Sequence, residues 1–186
     1  MIKVKKTSLD GFNVLELNCY KDKRGFFLET YQEEDYRAAG IKDKFVQDNQ
    51  SRSIKGVIRG MHFQVNRPQA QIITVIRGSV FDVGVDLRQN SPTFGRWHGV
   101  ELSDSGQRQI YTAPGIAHGF CVLSDYADLH YKVSRFYDPQ DECGLIWNDS
   151  EVQINWPITN PIVHPRDSSF KTLNELLKNQ QLPISD

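Results

Sequence analysis

Two side chains with complementary chemistry sit three residues apart in the run SIKGVIRGMHFQ, residues 53–64. His62 brings an imidazole, the side chain best suited to taking a proton near neutral pH. Arg59 brings a guanidinium, which suits an anion or an enolate-like oxygen. In a regular strand the two would face opposite ways. Gly60 lies between them and could support a bulge that re-aims one of them. A lone strand histidine is ordinarily a packing residue, so this pair gains weight only from its company along the chain.

That company comes from three further segments. Gln47, Asp48 and Asn49 form a polar run able to hydrogen-bond hydroxyls and carbonyls, although by itself it reads as an ordinary turn. In PGIAHGF (114–120) a Pro-Gly turn feeds His118 into a strand, where a flanking glycine permits close approach of a ligand or a backbone. In DLHYKVSRFY (128–137) a period of two puts Leu129, Tyr131, Val133, Arg135 and Tyr137 on one face. Leu129 and Val133 suggest that this face looks inward, which would present the Tyr131 phenol to the interior as a proton donor. The bland alternative for Tyr131 is cross-strand packing. The five histidines form no His-x-His pair, and Gln64 stands where a second ligand after His62 would fall, so no metal is expected.

The elements that must position these groups are mostly strands. Residues 71–77 and 79–87 flank Gly78, and in the second run Phe81, Val83, Val85 and Leu87 share one face while Asp82 and Asp86 share the other. Further strands are expected at 96–102, 107–112, 118–123 and 128–137, with turns at 90–92 and 103–106. Helix signals are few. Thr30 could cap a helix from about Tyr31 to Ala39 that stops at Gly40, and a second helical pattern runs from about Ser169 to Lys178. Many short strands at this spacing point to an all-β jelly roll or barrel with a few short peripheral helices and a cavity inside. The 186 residues suit one domain, 1–186, with a helical C-terminal tail. A net charge of -1 gives no bulk case for nucleic acid or an anionic membrane surface as partner. Cys19, Cys121 and Cys143 have neither metal nor disulfide-framework spacing, and the N-terminus lacks an apolar signal-peptide core, so a cytoplasmic protein is expected.

With these residues in place, the chain resembles the nucleotide-sugar epimerases of the dTDP-4-dehydrorhamnose 3,5-epimerase type from about Arg24 to Asp167. The runs that carry the likeness include RGFFLETY (24–31), FVQDNQS (45–51), GVIRGMHFQ (56–64), APGIAHGF (113–120), HYK (130–132) and IWND (146–149). The resemblance implies a cupin-like jelly roll, a homodimer to which N-terminal strands contribute, and epimerisation of a 4-keto-6-deoxy sugar nucleotide without metal or redox cofactor. His62 matches the family's base, Asp167 the carboxylate that orients it, and Tyr131 the acid on the other side of the sugar. Arg59, Gln47, Asn49 and His118 match substrate contacts, as do Glu142 and Arg166. Arg24 and Glu29 match residues that reach the nucleotide in the partner subunit's site, and Tyr137 or Phe136 the aromatic that stacks on the base. Gln71 departs from the family pattern, in which a lysine is usual. It can donate a hydrogen bond but brings no charge to an enolate. Epimerisation at a single carbon is the nearest variant. A 3,4-ketoisomerase would favour a second histidine where Gln64 stands. A barrel that binds the sugar nucleotide without turnover is the rival that Gln71 motivates.

Overall fold

Alternation of inward and outward residues along short strands organises residues 2–184, which the computed structural model describes. In chain order the elements are β1 (Lys3–Lys6), β2 (Phe12–Glu16), β3 (Cys19–Asp22), β4 (Gly25–Leu28), α1 (Glu33–Ala38), β5 (Gln47–Ile54), β6 (Val57–Gln64), β7 (Gln71–Arg77) and β8 (Ser79–Asp86). There follow β9 (Trp97–Ser103), β10 (Arg108–Thr112), β11 (Ile116–Val122), β12 (Tyr126–Val133), β13 (Glu142–Gly144), β14 (Ile162–Val163), α2 (Pro165–Ser168) and α3 (Leu173–Lys178). One sheet runs β1-β2-β10-β7-β12-β5 and the other β13-β6-β11-β8-β9, with β14 added in parallel to β6. The two sheets have the layered arrangement of the cupin-like jelly roll. Among the described residues the β3–β4 hairpin pairs only with itself.

Between the sheets, Phe12, Ile73 and Leu129 from one side meet Val80, Leu102 and Phe120 from the other. Each such side chain contributes roughly 1.5–3 kcal/mol through burial. The outer face of the second sheet is also apolar. Met61, Phe63, Val83, Val85 and Ala117 are covered by Leu145, Val152, Leu173 and Leu176 of the C-terminal segment. Asp149 fastens that cover: one carboxylate oxygen accepts from the Glu151 and Val152 N–H groups and the other from Leu173 N–H. The cover brings α2 against β6 and so carries Asp167 to the site.

Several element boundaries differ from the sequence reading. The first helix is capped by Gln32, whose side chain accepts from Asp35 N–H. Thr30 lies two residues before that cap, and its carbonyl accepts from the Tyr36 hydroxyl and the Gln109 amide. Gly40 does end it, with φ +96 and the Ile41 N–H returning to the Tyr36 carbonyl. The last helix starts at Leu173, where Thr172 and Glu175 form a capping box, so Phe170 lies outside it. The expected strand 128–137 stops at Val133. Ser134 N–H still donates to the facing Ala70 carbonyl, but the Ala70 N–H donates to the Ser134 hydroxyl in place of its carbonyl, so the ladder ends there and the inward phase is lost for Arg135, Phe136 and Tyr137. Gln47-Asp48-Asn49 is not a turn but the start of β5. Asp82 and Asp86 are wholly buried, since both faces of β8 are covered.

Candidate active site

A cavity of about 340 Å³ opens between the two sheets. Its first wall is built from β6, β11 and β13, and its second from β5, β7 and β12. On the second wall, period two places Gln47, Asn49 and Ser51 of β5 opposite Val133, Tyr131 and Leu129 of β12, and all six face the cavity. Gln71 of β7 pairs with Val133 and lies at the same end. Gln47 donates through its side-chain amide to Asn49 Oδ1 at 2.9 Å, which orders the two amides.

The first wall depends on one irregularity. His62 is opposite His118 across β6 and β11, and Arg59 is opposite Phe120, so Gly60 and Met61 together face Gly119. This is a bulge of one extra residue. It shifts the alternation, and residues three apart, Arg59 and His62, both line the cavity. Only glycine suits the position. Gly60 has φ +135, and a Cβ there would lie 2.6 Å from Gly119 Cα.

Behind His62, Asp167 is almost fully buried and its Oδ2 lies 3.0 Å from His62 Nε2. The same oxygen accepts from Gly60 N–H at 3.2 Å, so the bulge and the carboxylate hold each other in place. Burial alone would push the Asp167 carboxyl up. The hydrogen bond and charge of His62, the Gly60 N–H and the Arg166 guanidinium outweigh it and lower it to about 2. The ring of Phe170 stands edge-on to His62 with centroids 5.6 Å apart.

Tyr131 is half-buried on the opposite wall. Burial pushes its phenol up, nearby Arg59 pulls it down and Glu142 adds to the rise, so the hydroxyl keeps its proton through neutral pH. Arg59 crosses between the sheets to donate to Ser53 Oγ at 2.8 Å and to the Arg52 carbonyl at 3.3 Å. His118 sits beside His62 with its Nε2 2.9 Å from Asp82 Oδ2. Burial pushes the Asp82 carboxyl up against the pull of His118. Near the mouth, the Tyr137 hydroxyl donates to Glu142 Oε2 at 2.6 Å, and its N–H donates to the Gln47 side chain. Tyr137 therefore lines the cavity from a loop, not from the strand face the alternation implied.

The structure thus gathers His62, Tyr131, Arg59, Gln47, Asn49, Gln71, His118, Tyr137, Glu142 and Arg166 around one space, with Asp167 behind the base. It does not bring Arg24, Glu29 or Phe136 to that space within the described chain. Arg24 lies at the turn of the β3–β4 hairpin, paired with Asp22, Glu29 is exposed just beyond the hairpin, and Phe136 is 64% exposed. Sequence reading missed Asp82 and Phe170. A carboxylate recurring within the apolar run of β8 was the available signal for Asp82; Phe170 gave none beyond its place in a helical pattern it does not join. Among the described residues no group of three or more His, Cys, Asp or Glu side chains is arranged to hold a metal, and no helix is long and apolar enough to cross a membrane.

Comparison with known proteins identifies the family of the chain. The family model described as dTDP-4-dehydrorhamnose 3,5-epimerase matches residues 6–175. The chain is 44% identical to the dTDP-4-dehydrorhamnose 3,5-epimerase of Methanothermobacter thermautotrophicus, over 91% of this chain and 94% of that one. It is also 44% identical to the dTDP-4-dehydrorhamnose 3-epimerase of Streptomyces niveus, over 87% of this chain and 79% of that one. The crystal structure of a Legionella pneumophila 3,5-epimerase in complex with dTDP-4-keto-L-rhamnose superposes with a TM-score of 0.94, at 42% identity and with all of both chains covered. The match spans both sheets and the residues around the cavity, and the chain belongs to the dTDP-4-dehydrorhamnose 3,5-epimerase family of isomerases.

Proposed function

We propose that this protein inverts C3 and C5 of a dTDP-4-keto-6-deoxyhexose through an enolate, with no cofactor, giving dTDP-4-dehydrorhamnose from dTDP-4-dehydro-6-deoxyglucose. The observation that carries the reading is the placing of His62, backed by Asp167, on one wall of a cavity and of Tyr131 on the facing wall. A proton beside the C4 ketone is acidic because its loss leaves an enolate. His62 takes that proton. Arg59, Gln71 and His118 supply donors and charge for the enolate oxygen and the diphosphate. Tyr131, still protonated at neutral pH, returns a proton from the other face and inverts the carbon. Gln47 and Asn49 hold sugar hydroxyls, Tyr137 stacks at the mouth, and Glu142 and Arg166 complete the ligand contacts.

The working unit in this reading is a homodimer. The β3–β4 hairpin carries Tyr20, Phe26 and Phe27, each more than 60% exposed, next to Arg24. Such a projecting apolar tip suits insertion into a second copy, where Arg24 and Glu29 would meet the nucleotide. Inversion at C3 alone is the second reading. It is favoured by the relative named as a 3-epimerase and by the uncharged amide of Gln71 on the cavity wall.

Incubation with dTDP-4-keto-6-deoxyglucose in heavy water tests the assignment. Deuterium at both C3 and C5 supports the first reading, and deuterium at C3 alone the second. No incorporation despite tight binding would leave a sugar-nucleotide-binding barrel, and a keto group moved to C3 would make the protein a ketoisomerase.

A further inference from the structure

His62 Nε2 has two neighbours with opposite demands. Asp167 Oδ2, 3.0 Å away, accepts as a carboxylate, whereas Arg166 Nη2, 3.2 Å away, can only donate. A protonated Nε2 satisfies Asp167 and repels the guanidinium. A bare Nε2 satisfies the guanidinium and repels Asp167. Only the first state of a neutral ring leaves the basic lone pair on Nδ1. Arg166 therefore competes for the nitrogen that Asp167 is placed to hold.

The rest of the guanidinium decides the outcome. Its Nε donates to Asp167 Oδ1 at 3.1 Å and its Nη1 to Glu142 Oε2 at 2.8 Å. Glu142 lies on the edge strand β13 and also accepts from the Tyr137 hydroxyl. The other charged or titratable groups on this cavity are His118 beside the ring with Asp82 behind it, Arg59 across the bulge, and Tyr131 on the facing wall. Their hydrogen bonds are directed elsewhere, and Glu142 is the carboxylate that meets Arg166 from the side away from Asp167.

We propose that Glu142 is a positioning residue that shares the charge of the Arg166 guanidinium and so weakens its hold on His62 Nε2, with the result that the ring keeps its proton on the Asp167 side and carries its reactive lone pair on Nδ1. The proposal rests on His62 being the base of the reaction above. It gives Glu142 a task apart from any contact with ligand. It also links the reacting end of the cavity to Tyr137 at the mouth through one carboxylate.

The test is the ring 15N spectrum of His62 in ligand-free protein, at a pH where the ring is neutral, together with turnover and deuterium incorporation. The signal is assigned by its loss in His62→Ala. Wild type is expected to show Nε2 protonated and Nδ1 bare. Glu142→Gln keeps the size and removes the charge. It should shift the ring several-fold toward the Nδ1-protonated form and lower kcat by about tenfold, beyond any change in KM. Tyr137→Phe removes the other donor to Glu142 but leaves its charge, so the tautomer should stay and the loss should fall on KM. An unchanged tautomer ratio in Glu142→Gln overturns the proposal, as does a wild-type ring already protonated on Nδ1. If wild type exchanges no proton with any 4-keto sugar nucleotide, the proposed reaction fails, and the tautomer ratios still uphold or overturn the placing of the proton.

Discussion

The chemistry divides between a base and an acid whose surroundings differ in kind. His62 is gripped by a buried carboxylate, whereas Tyr131 stands half-buried with Arg59 and Glu142 as its charged neighbours. Replacing His62 by alanine should remove deuterium incorporation at every carbon, a loss of about 10²–10⁴-fold in rate; incorporation at the normal rate would remove His62 from the mechanism. Tyr131→Phe should behave differently. The base can still take a proton and return it to the same face, so exchange should continue while epimer formation falls by about 10²-fold or more. Measuring deuterium content and product configuration on the same sample separates the two steps. Asp167 gives a prediction about stability. Its carboxyl is lowered from 3.8 to about 2, so the folded state binds its proton less readily than the unfolded chain does. The resulting stabilisation, about 2 kcal/mol, is complete above the ordinary carboxylate range and drains away as pH falls from about 4 through about 2. The gap in urea midpoint between wild type and Asp167→Asn should therefore narrow on acidification. A gap that stays constant from pH 5 to pH 3 would show that the carboxylate is not held as described.

At the scale of elements, the site depends on a single break in strand regularity. A regular β6 would turn either Arg59 or His62 toward the C-terminal cover, where Met61 and Phe63 now sit. Gly60→Ala should therefore cost stability and function together. A methyl group against Gly119 and a positive φ in a non-glycine residue are together worth about 2 kcal/mol or more. Wild-type stability with wild-type exchange in this variant would refute the dependence of the site on the bulge. The bulge was open to sequence reading because glycine between two chemically matched side chains is a local signal, and so was the inward face of Tyr131, set by the alternation of Leu129 and Val133. What stayed hidden depended on long-range partners. Strand β12 ends at Val133 because the Ala70 N–H bonds the Ser134 hydroxyl in place of its carbonyl, and nothing within residues 128–137 records that. The cap of α1 lies at Gln32, whose side chain accepts from Asp35 N–H, while the Thr30 carbonyl is held by the distant Gln109. Asp167 became a partner for His62 in the sequence only through the family resemblance, since 105 residues separate them and the C-terminal cover alone joins them.

For the molecule as a whole, one chain supplies two walls and a mouth but leaves the tip of its β3–β4 hairpin unburied. Three aromatic side chains exposed on one short hairpin are costly for an isolated chain in water and sensible for one that inserts them into a second copy. If the hairpin of each subunit completes the other's nucleotide site, Arg24 and His62 act in one site but come from different chains. Arg24→Ala should then raise KM with little change in urea midpoint, as its bond to Asp22 is solvent-exposed. Mixing decides whether the contribution crosses between chains. Unfolding and refolding Arg24→Ala together with an equal amount of His62→Ala would give mixed dimers in which one of the two sites has both native side chains. Random pairing makes half of the dimers mixed, so activity at low substrate should recover to about a quarter of the wild-type value. If both residues served a site within one chain, every site in the mixture would carry one defect or the other. No recovery beyond the sum of the separate variants, in a sample shown to contain mixed dimers, would place Arg24 outside the partner's site.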